Sequence, residues 1–432
     1  MSATATQPIV ARTASGAARL LPPGSTVSLS EHVERYGPLP QLAGHSRSLL
    51  AAVGQSGLRG RGGAGFPTAV KLRAVASRRS PIVVANGTEG EPASAKDKVL
   101  LRCNPHLVID GVLAAMAAVG AREAIIAVSQ EADTSRVALE AALNERSSAA
   151  KDIRVAAVPE RFVAGEESAL VHWLNGGDAK PTLTPPRPFE RGVGGRPTLV
   201  QNVETLANIG LIARYGADWF RDTGTDDEPG TVLVTIGGAV HRPGVVEVEL
   251  GTPLRRLVAL AGGLTAQPQA LLAGGYFGTW IAAAGNVDTP LSESGLRPLG
   301  ASLGARTIVV LAADACGVAE SARVARYLAG ESAGQCGPCV FGLPAVAEAM
   351  EAITAGGARA AAALDRLPRL NAQIARRGAC AHPDGALRFV DSTLTVFADE
   401  IAHHLAGGCT ATHSQPVLPT PTTNSASSSN WR

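Results

Sequence analysis

The sequence predicts an α/β protein: a layered α/β domain, then a smaller unit of β-grasp type, then a C-terminal four-helix bundle. Three observations carry this. Short apolar runs of strand character alternate with helical stretches between about residues 50 and 212. Two strand-like runs lead straight into a short helix after Gly230. From Ala315 onward the pattern is helical throughout.

Residues 1–49 are weakly patterned and are expected to form a partly disordered extension. They hold Arg12 and Arg19 but no acid before Glu31, a faint likeness to an organellar presequence. They lack the compact apolar stretch and cleavage site of a secretory signal, and a plain disordered terminus is the expectation. The layered domain covers 50–225, with strands at 81–85 (PIVVA) and 124–128 (AIIAV) and a helix at 134–144. The second unit covers 226–305. Its strands are 231–236 (TVLVTI) and 245–250 (VVEVEL), with a turn at Gly237 and Gly238. A helix at 252–261 follows, closed by Gly262 and Gly263. The third domain, 306–410, has helices at 318–328, 343–353, 360–374 and 391–405. Residues 411–432 are rich in Ser, Thr and Pro and read as a disordered tail.

A chain of 432 residues exceeds one ordinary core, and 45% hydrophobic with 18% charged residues is a globular balance. The net charge of +2 gives no field suited to nucleic acid or an anionic membrane surface. No apolar run reaches the about 20 residues a bilayer span needs, so no direct membrane insertion is expected. Six cysteines in a chain this large, without an export signal, are expected to be reduced thiols. A Cys-x-x-Cys pair then reads as metal-binding or redox-active, and Cys103 as a small buried hydrophobe.

The densest motif is the run 57–71, GLRGRGGAGFPTAVK, with five glycines in its first nine residues. Such a loop lets backbone amides converge on an anion without Cβ obstruction. Pro67 is placed to open the next helix, whose N-terminus adds positive potential, and Lys71 sits one turn in. The segment 86–92 (NGTEGEP) directly follows a strand, where open α/β sheets bind ligands. Lys96 and Asp97 come next, then the runs 162–170 (FVAGEESAL) and 195–206 (GRPTLVQNVETL). A flexible surface turn is the plain alternative for the glycine loop. For Glu166 and Glu167 it is a pair of acids favoured at a helix start.

The order and spacing of these blocks, from about Ser56 to about Leu405, resemble the NADH-oxidising flavoprotein subunit of respiratory complex I. They are also similar to the flavoprotein subunits of NAD-linked hydrogenases and formate dehydrogenases, and in part to the flavin- and NADH-binding subunit of the Rnf complex. The resemblance implies a Rossmann-like FMN-binding domain, a soluble-ligand-binding β-grasp module and an iron–sulfur domain. It implies that Gly60, Arg61, Gly62, Gly63 and Lys71 hold the FMN phosphate. Asn86, Asn202 and Thr205 would bond the ribityl chain and phosphate, with Thr88 and Phe162 near the flavin. Gly165 would lie beside the ring, and Glu89 and Glu166 are the acids expected at the reacting centre. Phe66, Glu91, Glu167 and Arg187 would line the side that takes NAD(H).

The chain departs from that family at several positions. Thr88 stands for Asp, Phe162 for Tyr and Gln201 for Asn, each altering a polar contact worth about 1 kcal/mol. Thr184 stands for Lys, Arg187 for Phe, and Ala74 for an aromatic residue, which removes two stacking partners for adenine and one cation. The run 331–339 (ESAGQCGPC), with Cys380 41 residues after Cys339, resembles the family's 4Fe–4S motif Glu-Ser-Cys-Gly-x-Cys-x-Pro-Cys plus a distant cysteine. Cys336, Cys339 and Cys380 match three ligands, and Ala333 replaces the first. A 4Fe–4S cluster completed by Ser332, water or a partner thiol, a 3Fe–4S cluster, a three-cysteine zinc site and an empty site all stay open. Cys316 and Cys409 are each a helix away from these loops and are expected near each other at the bundle's opposite end. His382, two residues after Cys380, is a possible ligand, with a surface position the expectation.

The expected function is NADH-dehydrogenase-like electron transfer through FMN and an iron–sulfur cluster to a protein or quinone-linked acceptor. The expected partners are other subunits of a complex, including a ferredoxin-like iron–sulfur protein, with a cytoplasmic setting at the inner face of a membrane complex. Two alternatives are use of a ferredoxin-like partner instead of NADH, and a cofactor-poor docking role.

Overall fold

The computed structural model describes residues 18–21, 28–146, 148–412, 415–421 and 431. Strands β1 (Ile82–Gly87), β2 (Glu123–Ser129), β3 (Ile153–Val158) and β4 (Thr198–Asn202) form a parallel sheet in the order β3-β2-β1-β4. The apolar run that predicts β1 explains its central place. Val83 and Ala85 point into one core and Ile82 and Val84 into another, so both faces are covered. Helices Lys96–Cys103, Pro105–Val119 and Val203–Arg221 pack on the first face. Gly111 lets two of them meet backbone to backbone, since a Cβ there would lie 1.9 Å from the Leu206 carbonyl oxygen. The strand order reverses around β1, so the loop after β1 opens at a switch point of the sheet.

Strands β5 (Thr231–Gly238), β6 (Gly244–Glu249), β7 (Pro268–Ala273), β8 (Thr279–Ala282) and β9 (Thr307–Ala312) form a mixed sheet in the order β6-β5-β9-β7-β8. β5 continues through Gly237 and Gly238, the expected turn, because both pair with β9. This sheet docks onto the glycine-rich loop. The Arg61 guanidinium donates to the carbonyls of Pro229 and Thr231, and Arg306 donates to the carbonyl of Gly60 at 2.9 Å. Ala95 N donates to Thr235 Oγ1 and Leu233 N to Glu204 Oε1. The buried Glu247 carboxylate accepts from the backbone amides of Arg19, Leu20 and Leu21 and from Thr231 Oγ1.

Helices follow at Gly317–Gly330, Leu343–Ala355, Ala358–Ile374, His382–Val396 and Ala398–Leu405. The helix expected at 391–405 is therefore the end of one helix and all of another. Pro383 starts the first near its N-terminus, and Phe397 breaks the pair at φ −109°, ψ 31°. Trp280 of β8 joins the sheet to these helices, donating from Nε1 to Ser321 Oγ and from its amide to Ser392 Oγ. The described part of the expected tail is packed. Leu418 is buried, and the amides of Val417 and Leu418 donate to Glu320 Oε2. Trp431 is buried under Arg161, and its carbonyl accepts from Ala179 N. The helical run Pro338–Ala355 is long and apolar enough to cross a bilayer, and so is the bent pair Lys96–Cys103 and Pro105–Val119. Leu343, Val346, Met350 and Ile353 of the first sit in a protein core.

Candidate functional site

The carboxyl ends of β1 and β4 lie in register, which sets Asn86 beside Asn202. They open onto a cavity of about 580 Å³. Its floor is Gly62, Gly63 and Ala64 of the glycine-rich loop. Among the described residues the amides of these three donate no hydrogen bond, so the floor offers unused N–H groups. The loop is closed at its neck by Gly60 N donating to the Phe66 carbonyl. Gly63 and Gly65, at φ 116° and 58°, turn the backbone so those amides converge.

Asn86, Thr88 and Gly165 form one wall. Asn86 Nδ2 donates to the Gly165 carbonyl and Thr88 Oγ1 to Asn86 Oδ1, each at 2.8 Å. A Cβ at Gly165 would lie 2.5 Å from Thr88 Oγ1, so a larger residue there must displace Thr88 or the backbone. Asn202 Oδ1 caps its helix by accepting from Glu204 N, and Nδ2 donates to Asp97 Oδ2 at 2.7 Å. Lys96, buried at the cavity edge, pairs with Asp97 at 2.7 Å and Glu204 at 2.9 Å. Burial pushes the Asp97 carboxyl upward.

The acids serve the backbone first. Glu89 sits at φ 47°, which costs a non-glycine residue about 1 kcal/mol. Its carboxylate offsets this by accepting from Ser94 Oγ and from the amides of Asp97 and Lys98 at the start of a helix. Glu166 caps the helix Glu167–Leu174, accepting from Ser168 N and Ala169 N. Glu91 accepts from Ala93 N and Tyr276 N, and burial pushes its carboxyl up to about 7.

Other expected site residues lie outside the cavity lining. Lys71 Nζ pairs with Glu167 Oε2 at 2.7 Å and also donates to the Val200 carbonyl. The Arg61 guanidinium points to the second sheet, and its amide donates to Thr205 Oγ1, so Thr205 holds the loop from behind. Gly60 forms the neck. Phe66 is 46% exposed. Arg187 is exposed, with its amide bonded to Glu190.

The far wall comes from the helical region. Cys380 and His382 line it with Phe162 and Phe277, and Arg388 stands at the rim. His382 is buried rather than at the surface. Its Nε2 donates to the Leu328 carbonyl, its ring packs edge-on against Phe162 and Phe277, and burial lowers its pKa to about 4. Cys336 and Cys339 are within hydrogen-bonding reach of each other and electrostatic reach of Cys380. Burial and the two neighbouring thiols push Cys339 up to about 12. Three neighbouring thiols, Cys339 buried and Cys336 and Cys380 half-buried, form a donor set suited to iron and sulfide, and Ala333 is buried. Sequence patterns assign no site role to Lys96, Asp97 or Arg388. Lys96 and Asp97 stand out as a block, but Arg388 leaves no local signal.

Residues 53–211 match the family described as the Nuo51 FMN-binding domain, 319–404 the NADH-ubiquinone oxidoreductase-F iron–sulfur binding region, and 233–275 the SLBB domain. The chain is 33% identical over 377 residues to the NADH-quinone oxidoreductase F subunit of Streptomyces coelicolor, covering 84% of each chain. It is 31% identical over 404 residues to the second NADH-quinone oxidoreductase F subunit of Rhizobium meliloti, covering 89% of this chain and 96% of that one. Among solved structures, a chain of an NAD+-reducing [NiFe]-hydrogenase in the H2-reduced state is similar, with a TM-score of 0.80 and 30% identity. The match covers 88% of this chain and 67% of that one.

Proposed function

Because the chain belongs to the family of the NADH-quinone oxidoreductase F subunit, we propose that the cavity above Gly62–Gly63–Ala64 is its FMN site and that Cys336, Cys339 and Cys380 hold its iron–sulfur cluster. The protein is one subunit of an oxidoreductase and serves NADH-linked electron transfer by way of FMN and the cluster. FMN, when bound, accepts electrons in pairs and releases them singly, which suits a nicotinamide donor and an iron–sulfur acceptor. The observation that carries the reading is that Cys380 lies in the wall of the same cavity as the glycine floor.

The chain's own residues bind, orient and exclude water. The amides of Gly62, Gly63 and Ala64 would receive the phosphate, with Lys96 supplying positive charge at the edge. Asn86 and Asn202 would face the ribityl hydroxyls, and Gly165 would leave room for the ring. Glu89 and Glu166 hold the walls in place rather than transfer protons, because their carboxylates are committed to helix starts. Glu91 stands between the first domain and the Gly275–Tyr276 turn, where NADH would enter past Phe162 and Arg388. Phe66, Arg187 and Glu167 take no direct part in this scheme. Lys71 fixes the helix beside the loop through Glu167, and Thr205 fixes the loop itself.

In this reading 50–225 is the FMN domain, 226–305 a β-grasp module and 306–410 the cluster domain, with the helix Ala398–Leu405 extending a four-helix bundle. The strand order with β9 central between β5 and β7 supports the β-grasp assignment. Other subunits of a complex take the electrons onward. A ferredoxin-like iron–sulfur protein would dock where Phe341, 76% exposed, and Val340 lie next to Cys339. Such a complex would stand at the cytoplasmic face of a membrane. Anaerobic NADH titration of the FMN-loaded chain tests the scheme: bleaching of the flavin absorbance is expected. A flavin that dithionite or a reduced ferredoxin bleaches and NADH does not would replace the dehydrogenase role with the ferredoxin-linked one.

A further inference from the structure

Besides the buried Cys103, two cysteines remain outside this scheme. Cys316 is the N-cap of the helix Gly317–Gly330, roughly 20 Å of helix away from the cluster loops, and Cys409 follows the last helix. The fold brings both together with Glu400 and His404, which are four apart on one helix face. One ligand-type atom from each of the four lies within 4.8 Å of all the others, and no other such group occurs among the described residues.

The distances suit one small cation. Cys316 Sγ to His404 Nε2 is 3.3 Å, His404 Nε2 to Glu400 Oε1 is 3.3 Å, and Cys316 Sγ to Glu400 Oε1 is 4.0 Å. Zinc bonds of about 2.0 Å to nitrogen and oxygen and about 2.3 Å to sulfur give tetrahedral edges of about 3.3–3.8 Å. His404 is also oriented as metal-binding imidazoles are. Its Nδ1 lies 2.7 Å from the Thr354 carbonyl, which can only accept, so Nδ1 carries a proton and Nε2 is the ring nitrogen that faces the thiols and carboxylate. The two thiols thus face the Glu400 carboxylate and His404 Nε2. Glu400 is itself held by Thr410, whose amide donates to Oε1 and whose hydroxyl donates to Oε2.

We propose that Cys316, Glu400, His404 and Cys409 form a structural zinc site. It pins the chain after the last helix to the start of Gly317–Gly330. Binding releases the two thiol protons to solvent, and two thiolates and one carboxylate against Zn2+ leave a net charge of −1. A two-sulfur, one-nitrogen, one-oxygen set with no open position favours zinc over calcium, magnesium or a catalytic metal.

The test uses the full chain carrying Cys336→Ser, Cys339→Ser and Cys380→Ser, so that the cluster loops bind nothing and a failure here does not bear on the cluster assignment. This protein should retain one zinc per chain by elemental analysis after desalting. Replacement with cobalt should give the absorption of tetrahedral thiolate coordination. Cys409→Ser, at an exposed position that tolerates the change, should lose the zinc and the cobalt–thiolate band, and His404→Gln should do the same. The inference is overturned if the cluster-free chain holds no zinc, if zinc survives both substitutions, or if mass spectrometry finds a Cys316–Cys409 disulfide and no metal.

Discussion

Gly165→Ala tests the flavin assignment through a single methyl group. The new Cβ would stand 2.5 Å from Thr88 Oγ1, about an ångström inside contact distance, and 3.9 Å from Asn86 Oδ1. Either Thr88 rotates and loses its 2.8 Å bond to Asn86, or the backbone at Gly165 moves into the cavity and breaks its own bond to Asn86. A lost hydrogen bond costs about 1 kcal/mol, and overpacking a filled wall typically costs about 1–3 kcal/mol. At 1.4 kcal/mol per tenfold, FMN should bind roughly 5–100-fold more weakly. The assay is FMN retained per chain after desalting, with Kd from fluorescence titration. Thr88→Ala removes the offending oxygen and leaves the next Thr88 atom, Cβ, at 3.8 Å, so the double variant should bind FMN as Thr88→Ala alone does. If Gly165→Ala binds like the parent, or the double variant shows no rescue, Gly165 does not border the flavin.

Glu91 should make stability depend on pH. Its folded carboxyl, pushed up to about 7 by burial, keeps a proton that the unfolded chain loses near 4.5. The folded state binds more protons in that window, so stability falls as pH rises through it, by at most about 3 kcal/mol. Urea midpoints near pH 5 and near pH 8 should differ less in Glu91→Gln than in the parent, although the variant is weaker at both because its amide meets the N–H of Tyr276 or Ala93. Identical pH slopes would remove Glu91 as the cause. Ala333→Cys should restore a fourth thiolate and raise the iron retained after exposure to air. Equal iron loss in parent and variant would mean that position 333 does not face the cluster.

Much of the architecture is legible in the chain because the signals are local. The run PIVVA has no polar residue to face water, which is why β1 sits centrally, and Gly62 and Gly63 of the glycine-rich loop form the cavity floor. Direction and distance are not legible. Lys71 follows the loop at the right spacing, but Glu167, 96 residues on, captures its ammonium. Arg61 sits in the motif, yet carbonyls near β5 claim its guanidinium, and no local pattern reveals that. The helix starting at His382 is legible only from Asp391, since a histidine, a proline and a glycine mask its first turn. Arg388 reaches the rim by tertiary packing alone. The proximity of Cys316 and Cys409 follows from helix lengths, but the placement of Glu400 and His404 between them does not.

The cavity lining includes three stretches that lie far apart in the chain: 62–64, 302–305 and 380–388. A chimera with a homologue that exchanges any one of them alone would set foreign side chains against two native surfaces at the point where charge must cross. Functional grafts should therefore move all three stretches together. Natural variation at one stretch should be tolerated only when the facing positions of the other two have changed with it.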